Sequence, residues 1–315
     1  MTTEKKQPRR KPLTRPQTML AMLFILPWVI GFLAFSFYPI VTTLYYSFTE
    51  YNLFSPPEWV GLQNYIEMFG DENFRYALAN SLYYVVIGVT VQLALAIFSA
   101  ILLNMDVKGK GIFRTIYYLP ALVPPVAGAL IWVWLLNPQY GLVNALLRML
   151  HLPEPLWFSS TVWSKPAIIM IMLWGIGNTM VVYLAGIGEI PRDYYEAIEI
   201  DGGNAWHKFT RITWPMLTPV TLFQLISGII AGFNMFTQAY VVSLTRGRLP
   251  GDIGGVGNSL LFYASNLYRE GFTFLRFGYA SAEAWFMLLC VLLVTFIILK
   301  TAPKWVHYWE CRPWL

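Results

Sequence analysis

Few residues in this sequence are of a type and spacing that could do chemistry, and most of those lie where water is scarce. Cys290 and Cys311 form no CxxC pair, and His151, His207 and His307 sit at no ligand spacing, so neither a disulfide framework nor a metal centre is expected. No GxxxxGK(S/T) stretch is present to cradle nucleotide phosphates, and there is no nucleophile elbow. What remains is a set of polar side chains inside long apolar runs: Asn178 with Thr179, Gln224, Asn234, Gln238 and Glu283. In hydrocarbon such groups face a bundle interior or a wet cavity. There, amides and hydroxyls hydrogen-bond a passing polar solute, or one another across helices. Glu283 is the costliest, since a charge within a span costs about 2.5–3.5 kcal/mol on insertion scales. It could couple flux to an ion, pair with a neighbouring helix, or reach the interface about one turn away.

The elements that must position these residues are membrane helices. Of the 315 residues, 57% are hydrophobic and 12% charged, far below the soluble norm of about 25% charged. Six runs are long enough to cross a hydrocarbon core of about 30 Å as helices: roughly 19–40, 81–104, 115–136, 166–188, 216–244 and 279–300. They are unbroken rather than alternating, which excludes a β-barrel. The first run is longer than the core of a signal peptide and is expected to be retained. Pro120, Pro124 and Pro125 should bend the third helix near its inner end. The fold class expected is therefore an all-α polytopic membrane protein with six transmembrane helices.

Residues 1–18 carry six Lys and Arg among prolines and read as a disordered basic tail. No aromatic residue interleaves these charges, so no nucleic-acid partner is expected. With this tail inside, the inner segments hold fifteen Lys and Arg against seven outside, an asymmetry that favours cytoplasmic N- and C-termini. The inner segments are then the tail, 105–114, 189–215 and the C-terminus with its tail 305–315, counted with Lys300, Lys304 and Arg312. The outer segment 41–80 reads as an interfacial helix followed by a loop, and Trp157 and Trp163 as interfacial anchors. Gly228 and Gly232 stand at GxxxG spacing and suit close helix packing.

The loop 189–215 is the most structured of the polar interruptions. Pro191 suits a helix start. Tyr194, Ala197 and Ile198 make an apolar stripe that leaves Glu196 and Glu199 elsewhere. Gly202-Gly203 break the helix and Asn204 is placed to cap a second, with Trp206, Phe209 and Ile212 on one face and His207, Lys208 and Arg211 on the other. Pro215 and Pro219 mark the entry to the next apolar run.

The order Glu196-Ala197, Gly202, Ile212 and Pro215 resembles the EAA motif of the permease subunits of binding-protein-dependent ABC importers. Ile198 stands at the motif's second Ala, and Trp214 replaces a usual Leu. The resemblance extends over roughly 20–312, through Asn64-Tyr65, Phe74, Ala77, Asn80, Gly111, Arg114, Pro120, Trp132, Asn137-Pro138 and Gly141-Leu142. It implies the type I importer permease fold and a multi-pass place in the bacterial inner membrane, in contact with lipid. It further implies a second homologous permease, two ATPase subunits and an extracytoplasmic solute-binding protein. ATP and magnesium would be used by the ATPase subunits and no cofactor held by this chain. Glu196, Ala197, Asp201, Gly202, Gly203, Phe209 and Pro215 would then form the cytoplasmic coupling loop. Asn64, Gly111 and Gly278-Tyr279-Ala280 look more like the carbohydrate-type permeases, so the implied cargo is a sugar, polyol or sugar phosphate. The alternative from a different class is an ion-coupled secondary transporter using Glu283.

Overall fold

In a computed structural model the described residues are 15–105, 108–245 and 253–307. The expected basic tail before Arg15 and the C-terminal end beyond His307 lie outside them. Among the described residues four helices are long and apolar enough to cross a membrane: Met22–Ser47, Glu72–Asn104, Ala205–Leu244 and Phe277–Lys304. Two bent pairs, Lys110–Leu122 with Pro125–Leu135 and Ser164–Trp174 with Gly177–Gly188, make six spans when each pair counts once.

The apolar runs locate these helices, but several boundaries move. The first helix extends over 15–47, with a π-turn at Leu33–Phe37, so it takes in the last four residues assigned to the tail. The second starts nine residues earlier than the apolar run, because Asp71 caps it by accepting from the Asn73 N–H at 2.9 Å. Outer segment 41–80 is therefore not a helix followed by a loop. It holds a two-residue strand pair, Thr49–Glu50 with Glu58–Trp59, then the helix Gln63–Gly70, and then directly the second span. Asn64 ties this cap down, donating to the carbonyls of Ser47 and Thr49.

The third span is broken rather than bent. Pro124 and Pro125 lack the N–H groups a continuous helix needs, and the two halves meet at 101°. The fourth bends by 50° at Gly175–Ile176, which the sequence reading did not anticipate. The fifth is continuous with the second helix of the 189–215 loop, through a π-turn at Phe209–Thr213, so that helix is no separate element. Its regular part ends at Phe233 and resumes at Thr237–Leu244.

Spans two, four and five form the centre of the bundle. Val89, Leu93, Ala96, Met180, Tyr183 and Leu217 are buried together there. Gly228 and Gly232 do what their spacing suggested: a Cβ on either would lie 2.8 Å from Val89 or 2.7 Å from Val85, so spans two and five touch backbone to side chain. Tyr183 adds a hydroxyl donated to Thr221 Oγ1 at 3.3 Å. The first span stands apart, and only its last third packs on the sixth. Trp157 is no interfacial anchor. It is buried in the core at the opposite end from the 189–215 loop, and its Nε1 donates to Asn144 Oδ1 at 2.6 Å.

Candidate functional site

Two places in this bundle have the geometry of a functional site: a cavity between the spans, and the helical hairpin at one end.

The cavity has a volume of about 390 Å³ and is walled mainly by spans two, four and five, with Pro125 from the third. Gln224, Asn234 and Gln238 all line it, as does Thr179. Spans two and five are held to span four by polar contacts at this wall. Gln224 Nε2 donates to the Thr179 carbonyl at 3.4 Å, and Gln92 Nε2 to Thr179 Oγ1 at 3.5 Å. Asn234 sits where the regular helix ends, its amide donating to the Ile230 carbonyl at 2.8 Å. Ser227, Phe236 and Thr237 complete the polar and aromatic wall of span five.

Two expected pathway residues are not there. Asn178 is exposed and outside the cavity, because one residue's step around the helix gives the wall to Thr179 instead. Glu283 is also elsewhere, and it does not reach an interface. It is 1% exposed, and its Oε1 accepts from Asn266 Nδ2 at 2.6 Å. Tyr263 donates to its backbone carbonyl at 2.7 Å. The helix Tyr263–Tyr268 covers it and seals it away from water, which is why its position one turn from the span's end does not expose it. Gln92, Tyr84 and Phe236 were missed as lining residues. Gln92 was legible by the rule that found the others, being a lone amide inside an apolar run; the two aromatics carry no such signal.

The hairpin is built from local rules. Its first helix runs Arg192–Ile200, with Pro191 at the N-cap. Gly202 then takes φ +77°, a left-handed conformation that favours glycine. The Gly203 N–H reaches the Ile198 carbonyl at 2.8 Å and the Gly202 N–H the Glu199 carbonyl at 3.0 Å, which closes a Schellman C-cap. Gly203 also has no room for a Cβ, which would meet Ile198 Cγ2 at 2.3 Å. Asn204 caps the second helix as expected and forms a reciprocal capping box with His207, whose ring is thereby part of the cap. Lys208 pairs with Glu199 across the elbow.

The stripe in the first helix differs from expectation. Tyr195 and Ile198 turn inward, whereas Tyr194 and Ala197 are exposed along with Glu196. The reason is tertiary: the Tyr195 hydroxyl is held by Thr213. Asp201 ends that helix and is exposed, as is Gly202. Phe209 is half-buried between Trp206 and Trp214, with ring centroids 5.7 and 6.4 Å away, and Pro215 opens the regular part of the fifth span. Two apolar side chains at the tip are left uncovered, Ile200 at 85% and Trp206 at 68% exposure.

A polar cavity and a docking-shaped hairpin joined by the fifth span invite comparison with known transport proteins. The family model described as "Binding-protein-dependent transport system inner membrane component" matches residues 92–306. The chain belongs to this family of importer permeases. The protein named "Probable ABC transporter permease protein YesP" of Bacillus subtilis is 39% identical over 93% of this chain and 94% of its own length. The arabinooligosaccharides transport system permease protein AraP of the same organism is 32% identical over 88% and 87%. The trehalose/maltose transport system permease protein MalF of Thermococcus litoralis is 30% identical over 90% and 94%. Among solved structures, a chain of a bacterial alginate ABC transporter, in complex with an alginate pentasaccharide-bound periplasmic protein, superposes with a TM-score of 0.78. That match has 23% identity and covers 92% of this chain and 96% of that one. It shows the shared fold, that of a type I importer permease. As a permease the chain is a membrane-embedded translocation component and not the ATP-hydrolysing enzyme.

Proposed function

We propose that this permease pairs with a second homologous permease to form the pathway of an ATP-driven importer of a carbohydrate, polyol or sugar phosphate. The 189–215 hairpin docks on the ATPase subunits. The observation that carries this reading is the helical path Ala205–Leu244, which joins the hairpin's exposed Trp206 to the cavity residues Gln224, Asn234 and Gln238. A displacement at the hairpin is passed along the fifth span, through Gln224 to the helix end at Phe233–Asn234, where it meets the wall that a solute would touch. Exposed Ile200 and Trp206 beside Glu196 give a partner protein apolar anchors rimmed by charge, a pattern of binding hot spots. Amides and hydroxyls converging in the cavity suit the hydroxyl-rich edges of a sugar. The names of AraP and MalF, which are transporters of arabinooligosaccharides and of trehalose and maltose, point to the same class of cargo. The excess of positive charge on the hairpin's side supports a cytoplasmic hairpin and cytoplasmic termini, with the chain in a bacterial inner membrane. The opposite end, with residues 48–71 and 253–276, then faces the solute-binding protein.

The ion-coupled alternative is not favoured, because Glu283 is sealed between the sixth span and the helix Tyr263–Tyr268, away from the cavity.

The decisive test is a mild-detergent pull-down of the chain with and without Gly202→Asp or Glu196→Lys, reading co-purifying subunits by mass spectrometry. The intact hairpin should recover an ATPase and a second permease. Either substitution should lose the ATPase and keep the permease. Recovery of the ATPase unchanged with both variants, together with full uptake, would rule out the hairpin as the docking element.

A further inference from the structure

At the end of the bundle opposite the hairpin, aromatic rings from three stretches of chain, 46–51, 236–240 and 268–277, form a continuous series. Tyr46, at the end of the first span, stacks on Tyr51 with centroids 4.4 Å apart. Tyr51 lies 6.2 Å from Phe277, and Phe277 lies 5.6 Å from Phe272. Phe272 stacks on Tyr268 at 5.1 Å, and Tyr268 lies 5.1 Å from Phe236. Tyr240 braces the last pair, 4.9 Å from Phe236 and 5.4 Å from Tyr268. This is not a core cluster: none of the rings is fully buried, and Phe272 is 61% exposed.

From Tyr51 to Phe236 the series joins two polar spaces, with Tyr46 stacked behind Tyr51. Phe236 is in the wall of the cavity that holds Gln224, Asn234 and Gln238. Tyr51 lines a second pocket of about 330 Å³, with Asn52, Gln63, Glu67 and Arg276 among its polar groups. A sugar ring has an apolar C–H face and a hydroxyl edge, so it stacks on an aromatic face while its hydroxyls stay with polar groups or water. Rings set one after another, 4.4–6.2 Å apart, let each sugar residue leave one partner as it meets the next. A lipid-facing aromatic belt lies in one plane at the interface and leads nowhere; this series runs between two polar pockets.

We propose that the series from Tyr51 to Phe236 is a stacking track along which the rings of an oligosaccharide pass from the outer pocket to the bundle cavity. It rests on the carbohydrate reading given above. Its consequence is a cargo of linked sugar rings, with the benefit of the track growing with chain length.

The test uses the full chain in the importer purified with its partner subunits and reconstituted in proteoliposomes. Uptake is first measured for glucose-, xylose- and arabinose-based di-, tri- and tetrasaccharides. With whichever is taken up, Phe272→Ala and Tyr51→Ala should lower kcat/KM about tenfold, the equivalent of about 1.4 kcal/mol for one lost ring contact. The loss should be larger for the tetrasaccharide than for the disaccharide, and Phe272→Tyr should restore uptake. If the importer takes up only monosaccharides, polyols or sugar phosphates, assayed alongside, the track is overturned while the carbohydrate reading stands. If it takes up no member of any of these classes, that reading fails and the track with it. If a saccharide is imported and both alanine variants leave its kinetics unchanged, the track alone is overturned. It is equally overturned if the variants shed the second permease while uptake per assembled complex stays constant, since the rings then serve subunit contact.

Discussion

The Tyr195 hydroxyl lies 3.0 Å from Thr213 Oγ1, so the first helix of the hairpin is tied directly to the root of the fifth span. The elbow at Gly202 sets the angle between the two helices, and this bond fixes how they are clamped. Removing it by Tyr195→Phe should cost about 1 kcal/mol, one net hydrogen bond, and weaken ATPase-subunit binding about fivefold. Binding of the purified ATPase subunits to immobilised permease measures this, and an unchanged Kd would show that the clamp does not shape the docking surface.

Contact between spans two and five should tolerate no added carbon at position 232. Gly232→Ala places a Cβ 2.7 Å from Val85 Cγ2, and the overpacking should cost about 1–3 kcal/mol. The double variant with Val85→Ala should recover most of the lost thermal stability, because the two sites share one contact. Failure of that rescue in melting curves of the purified complex would mean the clash is relieved elsewhere.

At Glu283 the useful comparison is between two substitutions. Glu283→Ala leaves the Asn266 amide buried without its acceptor and should cost about 1–3 kcal/mol. Glu283→Gln retains an acceptor oxygen and should keep uptake, with no change in its proton dependence. Simultaneous loss of uptake and proton dependence in the Gln variant would revive the ion-coupled reading.

Glu270 gives the end opposite the hairpin a pH dependence of defined sign. It is buried between Arg269 and Arg276, at 3.5 and 3.3 Å, and burial raises its carboxyl more than the two guanidiniums pull it down. A carboxyl raised on folding contributes stability that is fully present below its unfolded value, about 4.3, and is lost as pH rises through the folded one. The melting temperature of the complex should therefore carry a component that falls with rising pH, and Glu270→Gln should remove it. A Gln variant with the same pH slope as the wild-type chain would place that component on another group.

Much of this permease was legible in the sequence because much of it is local. Six apolar runs fix six spans, since a membrane helix satisfies its own backbone and needs only length and composition to be recognised. The Asn204 cap and the Gly202 elbow are likewise decided within a few residues, and both formed as read.

Tertiary packing decided what depends on rotation and on distant partners. Whether Asn178 or Thr179 faces the cavity is a matter of turning the helix by one residue, and nothing within an evenly apolar run sets that angle. Contacts across helices set it, such as Gly228 and Gly232 against Val89 and Val85. Glu283 reads as near an interface until the helix Tyr263–Tyr268 folds over it. The break in the third span was written in its prolines, but its 101° angle was not. The aromatic series is assembled from residues as far apart as Tyr46 and Phe277, and no window along the chain contains it. The chain by itself determined which segments are helices in a membrane and where its hairpin turns; only the folded bundle determined which side chains meet, because side-chain direction on a helix is set by what packs against it.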